Sequence, residues 1–305
     1  MDDSLVTVRD LVKTFAVAAH HRGRMGAVRD LVSRERRIVR AVDGVSFDIA
    51  AGELVGYLGP NGAGKSTTIK MLTGVLVPTS GEVRVAGLVP WRDRVRYTRQ
   101  IGVVFGQRTN LWWDLPLVET YELLRHVYRV PAERFARNLA RFEALLGLGE
   151  FLDTPVRQLS LGQRMRADLA AAMLHDPRIV FLDEPTIGLD VLAKERVRGF
   201  VRELNRERGV TIVLTTHDLT DIERLCRRIV LIAEGRLLFD GDSDTLQTRY
   251  GAERELVVDL AEDYAAVDVD GAVVADRDGR RVTYRFPRDG ATASGATDPG
   301  STSSK

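Results

Sequence analysis

Cysteine is nearly absent from this sequence: Cys226 is the only one in 305 residues. No intrachain disulfide can form, so a reducing cytosol is the natural setting. Long apolar runs are missing as well. None approaches the roughly 18–20 residues that a membrane helix needs, so any membrane role must come through a partner. The opening Met1-Asp2-Asp3-Ser4 lacks the basic start and apolar core of a signal peptide. An excess of one charge is missing too. The 44 basic and 43 acidic residues leave a net charge of +1, with no general attraction for nucleic acid. No internal repeat is visible. What remains is ordinary for a soluble globular protein, 44% hydrophobic and 29% charged. The length allows one large domain plus a small one.

One stretch organises the rest. Gly59-Pro60-Asn61-Gly62-Ala63-Gly64-Lys65-Ser66 fits the phosphate-binding pattern G-x-x-x-x-G-K-[ST]. Glu53 to Leu58 reads as a buried strand entering it, and Thr67 to Leu72 as a helix leaving it. Glycines let the backbone curl and aim its N–H groups at a phosphate. The helix N-terminus that follows adds partial positive charge. Lys65 has the reach for β- and γ-phosphates, and Ser66 the hydroxyl for Mg²⁺.

Around that loop, apolar runs of strand length alternate with helical patterns. Leu5 to Phe15, Val42 to Ile49, Glu82 to Val85, Ile101 to Phe105, Ile179 to Leu182, Val210 to Leu214 and Ile229 to Ala233 read as strands. Val118–Val130, Ala132–Leu146, Arg164–His175, Lys194–Arg208 and Asp221–Arg228 read as helices. This alternation predicts an α/β fold with a mainly parallel sheet and covered faces. A helical subdomain is expected over about 108–176. After Gly241, Glu255–Leu260, Ala272–Ala275 and Arg281–Phe286 look like short strands separated by Asp-Gly turns. The expected division is therefore 1–241, a small β-rich appendage over 242–289, and a disordered tail over 290–305.

Three features stand apart. Ala16 to Arg40 holds seven arginines and two histidines, and Val28, Leu31 and Val32 would share one face of a short helix. It reads as a solvated basic loop or as a basic surface for anionic lipid or a partner. Trp112 and Trp113 are adjacent, so one is expected to be exposed. Phe15 is a lone aromatic ending a strand, readable as core or as a nucleotide contact.

Asp183 and Glu184 close the apolar run Ile179–Leu182, at the sheet edge where open parallel sheets bind ligands. The first suits a Mg²⁺-organising carboxylate, and the second can orient and deprotonate a water. Gln107 and His217 each follow a buried strand and read together as γ-phosphate sensors.

With these residues in view, the sequence resembles the nucleotide-binding subunits of ABC transporters, over about Leu5 to Gly241. Walker A is Gly59–Ser66, the Q-loop residue Gln107, the signature Leu159–Gln163, and Walker B Ile179–Glu184. Gly188-Leu189-Asp190 is the D-loop, and His217 the switch histidine. The resemblance implies ATP and Mg²⁺ as cofactors. Pro60, Asn61, Gly62, Ala63, Gly64 and Thr67 would lie against the nucleotide, Phe15 would stack on adenine, and Gln107 would join Ser66 and Asp183 around the metal. It implies two cassettes closing on two ATP, the Walker A loop of one facing Ser160, Gly162 and Gln163 of the other. A permease in the membrane and a second cassette are the implied partners, and the cytoplasmic membrane face the implied location.

Two departures mark the chain. Leu161 stands where the family usually has glycine, and the 16–40 segment is longer than usual. With Gly106-Gln107 and Trp112–Pro116 they are similar to the exporter branch of sodium, daunorubicin-type and viologen ATPases. An importer subunit whose C-terminal appendage is regulatory is the alternative. A soluble ATPase acting on ribosomes or DNA would carry two cassettes or a coiled-coil insertion, and a non-hydrolysing module would lack Glu184 or Lys65.

Overall fold

The computed structural model describes residues 4–18, 36–106, 108–216, 218–250, 253–262, 269 and 271–287. Gln107, His217, most of the basic segment (19–35) with its expected helix face, and the 290–305 tail lie outside them.

Strands β1 (Ser4–Ala18) and β2 (Arg36–Ala50) pair antiparallel along their whole length. The two ends of the basic segment are thus not loop: Ala16, Val17 and Ala18 pair with Ile38, Arg37 and Arg36. Their β-branched residues extend the ladder beyond the predicted ends. Next come β3 (Leu54–Leu58), helix α1 (Lys65–Leu72), β4 (Ser80–Val85), the short α2 (Arg94–Thr98) and β5 (Ile101–Phe105). β4 joins β1, giving a three-stranded sheet of order β2-β1-β4.

A helical stretch follows, with α3 (Leu117–Tyr128), α4 (Ala132–Leu146) and α5 (Leu161–Met173). In α4, Phe135, Asn138, Phe142 and Leu146 are buried at three- and four-residue spacing, the signature of one buried stripe. Gly147 then ends the helix in the left-handed conformation. β6 (Ile179–Asp183), α6 (Val191–Arg208), β7 (Thr211–Thr215), α7 (Leu219–Leu225), β8 (Arg228–Ala233) and β9 (Arg236–Asp242) complete this part. Phe142 of α4 meets Phe200 of α6 edge-on, with ring centres 5.6 Å apart. Such a pair adds about 0.5–1.5 kcal/mol beyond its area burial.

The second sheet has the order β5-β6-β7-β3-β8-β9, parallel throughout except for β9, which returns antiparallel beside β8. Its central strands are buried on both faces, which explains their unbroken apolar runs. The core lies between the two sheets, with Val6, Val8, Phe47, Tyr57, Ile69, Phe181 and Val230 all buried.

By internal contacts the chain divides into two units, Met1–Ser243 and Asp244–Lys305. Helix α8 (Ser243–Tyr250) begins at that division. In the second unit β10 (Glu253–Asp259), β11 (Val273–Asp278) and β12 (Arg281–Pro287) form an antiparallel sheet of order β10-β12-β11.

Candidate active site

β6, β7 and β3 lie side by side, with Asp183 opposite Thr215 and Thr215 opposite Tyr57. Their C-terminal ends deliver the phosphate loop, the acidic pair and Thr216 to one edge. That edge is where ligands bind in open α/β sheets.

The loop is held in a conformation only glycine permits at two points. Gly59 has φ of 153°, and a Cβ there would lie 2.2 Å from the Ile232 carbonyl oxygen. Gly64 has φ of 103°, with the Ala41 carbonyl 2.3 Å from the same position. Either side chain would collide with backbone, which cannot move aside cheaply. Inside the curl, Lys65 is 6% exposed and its Nζ donates to the Gly59 and Pro60 carbonyls at 2.6 and 3.1 Å. Ala63 is buried, Gly64 and Thr67 are half-buried, and Pro60, Asn61, Gly62 and Ser66 are exposed. The cradle therefore opens to solvent on the side where a nucleotide would enter.

Ser66 and Asp183, 117 residues apart, meet at 3.3 Å through Oγ and Oδ1. Thr215 Oγ1 donates to the same Asp183 oxygen at 2.6 Å. These are hard oxygen donors on one edge, the kind Mg²⁺ takes when phosphate and water fill its other positions. Among the described residues no three His, Cys, Asp or Glu side chains gather into a protein-only metal cage. Ser66 and Asp183 thus fit an ion that is held jointly with phosphate.

Glu184 adopts φ of +56°, a left-handed conformation costly for a non-glycine residue. Its amide is held by Thr215, donating to the carbonyl at 3.0 Å and Oγ1 at 3.1 Å. A neighbour thus over-determines the strained backbone that aims Glu184.

Ser160 caps helix α5. Its Oγ accepts the Gln163 amide at 3.2 Å, and Gln163 Oε1 accepts the Ser160 amide at 2.9 Å. The S-x-x-Q spacing that announces this reciprocal cap was in the sequence, yet the helix was expected only from Arg164. Gly162 sits on the first turn; a Cβ there would touch Ala193 at 3.3 Å. Asp190 caps α6 by accepting the Ala193 amide at 2.8 Å. Phe15 is half-buried opposite Val39, with the Lys13 ammonium 5.3 Å from its ring centre.

Trp112 and Trp113 are 42% and 49% exposed, so both face outward where one was expected to. Arg164 lies 5.6 Å from the Trp113 ring.

A buried polar knot escaped sequence reasoning. Asp221 is 0% exposed and its Oδ1 pairs with Arg198 at 2.5 Å. Its Oδ2 accepts Thr186 Oγ1 at 2.5 Å and Thr216 Oγ1 at 3.3 Å. Thr186 follows Glu184 by two residues and Thr216 precedes position 217, so one carboxylate braces both flanks of the site. Nearby, the Lys194 ammonium bonds Asp218 at 2.9 Å and holds its carboxyl below the usual range. No local pattern marks partners 23 to 35 residues apart.

Comparison with known proteins gives this arrangement a setting. A family model described as ABC transporter matches residues 42–187. The chain is 31% identical over 220 residues to the ABC transporter ATP-binding protein NatA of Bacillus subtilis, covering 72% of this chain and 88% of that one. It is 39% identical over 206 residues to the Nod factor export ATP-binding protein I of Paraburkholderia xenovorans, covering 67% of each. It spans less of other relatives, such as 36% of the probable multidrug ATP-binding protein YbhF of Escherichia coli. An ATP-binding cassette solved as a post-hydrolysis dimer with ADP and Pi superposes with a TM-score of 0.64 at 28% identity, covering 78% of this chain and 98% of that one.

Proposed function

Because this chain belongs to the ABC transporter ATP-binding proteins, and is an ATPase, we propose that it powers a membrane exporter by closing as a dimer on ATP. The observation that carries the chemistry is the meeting of Ser66, Asp183, Thr215 and strained Glu184 beside the Lys65 loop.

Each described residue has a task that its position supports, and Gln107 and His217 are assigned theirs from the resemblance. The loop amides and the start of α1 bind phosphate through fixed dipoles, and Lys65 adds a buried positive charge. Ser66 and Asp183 hold Mg²⁺, with Gln107 as the third residue assigned to it. When bound, Mg²⁺ neutralises charge on the phosphate oxygens. Glu184 orients the attacking water and accepts its proton, while His217 is assigned to the γ-phosphate. Phosphoryl transfer to water is mostly positioning and charge stabilisation, and rigid strand ends supply both. Phe15 offers a π-face to the base.

In the dimer we assign, Ser160, Gly162 and Gln163 of one copy complete the site of the other, with Asp190 alongside. No described helix is long and apolar enough to cross a membrane; permease subunits and a second cassette are the partners we assign. Peripheral attachment at the cytoplasmic face of the membrane is the location we assign. The exposed Trp112 and Trp113 suit a protein contact, since tryptophan is enriched at interface hot spots. Export is supported by the resemblance to the Nod factor export protein. No nucleic-acid partner is assigned.

Glu184→Gln tests the chemistry. It should bind ATP, hydrolyse it very slowly and accumulate as an ATP-bound dimer on gel filtration. Wild-type turnover would remove Glu184 from the role of base. For direction, a neighbouring six-helix permease gene without a periplasmic binding protein is expected; a binding-protein gene beside it would favour import.

A further inference from the structure

We infer that Asp168 is a positioning residue: it ties the segment after position 107 to the signature helix, so that events at the γ-phosphate set the placement of Ser160, Gly162 and Gln163. The inference rests on the reading that those residues complete the other copy's site.

The segment is anchored at two ends. At the sheet, the Gly106 amide donates to the Asp183 carbonyl at 2.7 Å, and Arg108 N donates to the Phe105 carbonyl at 3.0 Å. Gly106 packs so closely that a Cβ there would lie 2.3 Å from the Glu184 carbonyl oxygen. At the helix, Thr109 Oγ1 and the Asn110 amide both donate to Asp168 Oδ1, at 3.0 and 3.1 Å. Thr109 Oγ1 also accepts the Leu111 amide at 3.1 Å, and Asn110 Nδ2 reaches the Val103 carbonyl at 3.3 Å. Gly106 and residues 108 to 111 therefore hold a short strap between the acidic strand end and α5.

Asp168 lies on α5 two turns beyond its Ser160 cap, and a helix passes such a displacement on as a rigid rod, ~1.5 Å per residue. The residue type is informative. Asp168 is 6% exposed, and among the described residues no salt bridge meets it. Burial pushes its carboxyl up to about 6, with Asn110, Thr109 and the more distant Arg164 opposing. An aliphatic side chain would pack there at lower cost in desolvation. What the carboxylate adds is a charge-assisted grip on the strap.

The test uses the full chain with Asp168→Ala, Thr109→Val, Asp168→Asn, Ser160→Ala and Glu184→Gln. Asp168→Ala should keep the wild-type ATP dissociation constant, yet lower ATPase turnover about tenfold and flatten its dependence on ATP. Thr109→Val should move turnover the same way by less, and it serves alone if Asp168→Ala does not fold. Asp168→Asn keeps Oδ1 as an acceptor and should recover most of the turnover. Each defective variant is then mixed, before ATP is added, with Glu184→Gln, which still binds ATP and whose signature is intact. If Ser160→Ala and Asp168→Ala are both rescued, Asp168 acts through the signature. Rescue of Ser160→Ala alone would overturn the inference, because Asp168 would then serve its own nucleotide site or the fold. Rescue of neither would overturn the reading of a signature working in the other copy, and this inference with it. Unchanged turnover in both Asp168→Ala and Thr109→Val would also refute it.

Discussion

Replacing Asp168 by asparagine should stabilise the protein progressively as pH rises. The groups facing this carboxyl are Thr109 and Asn110 from the strap, Arg164 on its own helix, and Tyr121 of α3, whose hydroxyl burial pushes well up. Burial raises the Asp168 carboxyl from its ordinary 3.8 to about 6. The folded state therefore holds the proton more tightly than the unfolded chain. That favourable contribution is complete below the unfolded value and is lost as pH climbs through about 6. The difference of about two pKa units corresponds to ~3 kcal/mol at high pH, relative to the protonated group. Roughly half of that is already lost near pH 5, because the unfolded chain ionises first. Asparagine neither ionises nor loses the Oδ1 acceptor. The gap in unfolding free energy between Asp168→Asn and wild type should thus widen in the variant's favour by ~1–1.5 kcal/mol from about pH 5 to about pH 8. Urea unfolding at both pH values, followed by circular dichroism, reads it directly. The change with pH is the decisive quantity, since any cost of placing an amide NH₂ is common to both conditions. A gap that stays constant or narrows would show that Asp168 ionises like an ordinary surface carboxylate.

The ring at position 15 and the buried ion pair give further tests. Phe15→Ala should weaken nucleotide binding by ~1–3 kcal/mol, with little discrimination among ATP, GTP and CTP, as base-stacking aromatics do. Equal dissociation constants by titration calorimetry would leave Phe15 as strand packing only. Arg198→Met should destabilise the fold by about 3–5 kcal/mol, because it strands the Asp221 carboxylate without its cation. A urea-unfolding loss under about 1 kcal/mol would show that Thr186 and Thr216 suffice to satisfy it.

The phosphate loop and the acidic strand end were legible because their chemistry constrains residue type locally. Gly59 and Gly64 stand against backbone, and an apolar run followed by Asp183-Glu184 implies a buried strand with a polar mouth. Interior strands were legible for the same reason, being apolar on both faces. Composition misled where it outweighed pairing. Arg36, Arg37 and Arg40 made the basic segment read as loop, yet Ile38 and Val39 pair across to β1. The edge strand β9 went unread because its exposed face breaks the apolar run, although Glu234-Gly235, both at positive φ, mark the turn before it. Asp168 with Thr109 and Arg198 with Asp221 were illegible in principle. Partners 59 and 23 residues apart meet only because the fold brings their helices and loops together.

Leu161 shows how a departure from a family pattern acquires a physical meaning. Where the resemblance implies glycine, leucine should crowd a phosphate-facing turn. Instead the side chain leaves the turn and lies toward the D-loop, where a Cβ added to Gly188 would meet Leu161 Cδ2 at 3.0 Å. Gly188 itself has φ of 69°, so a glycine there answers both the backbone conformation and the close approach. Leu161, still 37% exposed, thus approaches Gly188 at a point where the absence of a side chain leaves it room. Ser160 and Gly162 keep the first turn of α5 open and capped, so the extra side chain leaves the proposed phosphate face unobstructed. One residue on, Gly162 lies against Ala193 at the start of α6, so the two helix N-termini meet through small residues and a single leucine. The consequence is mechanical. A displacement of α5 through the strap proposed above would press Leu161 against Gly188.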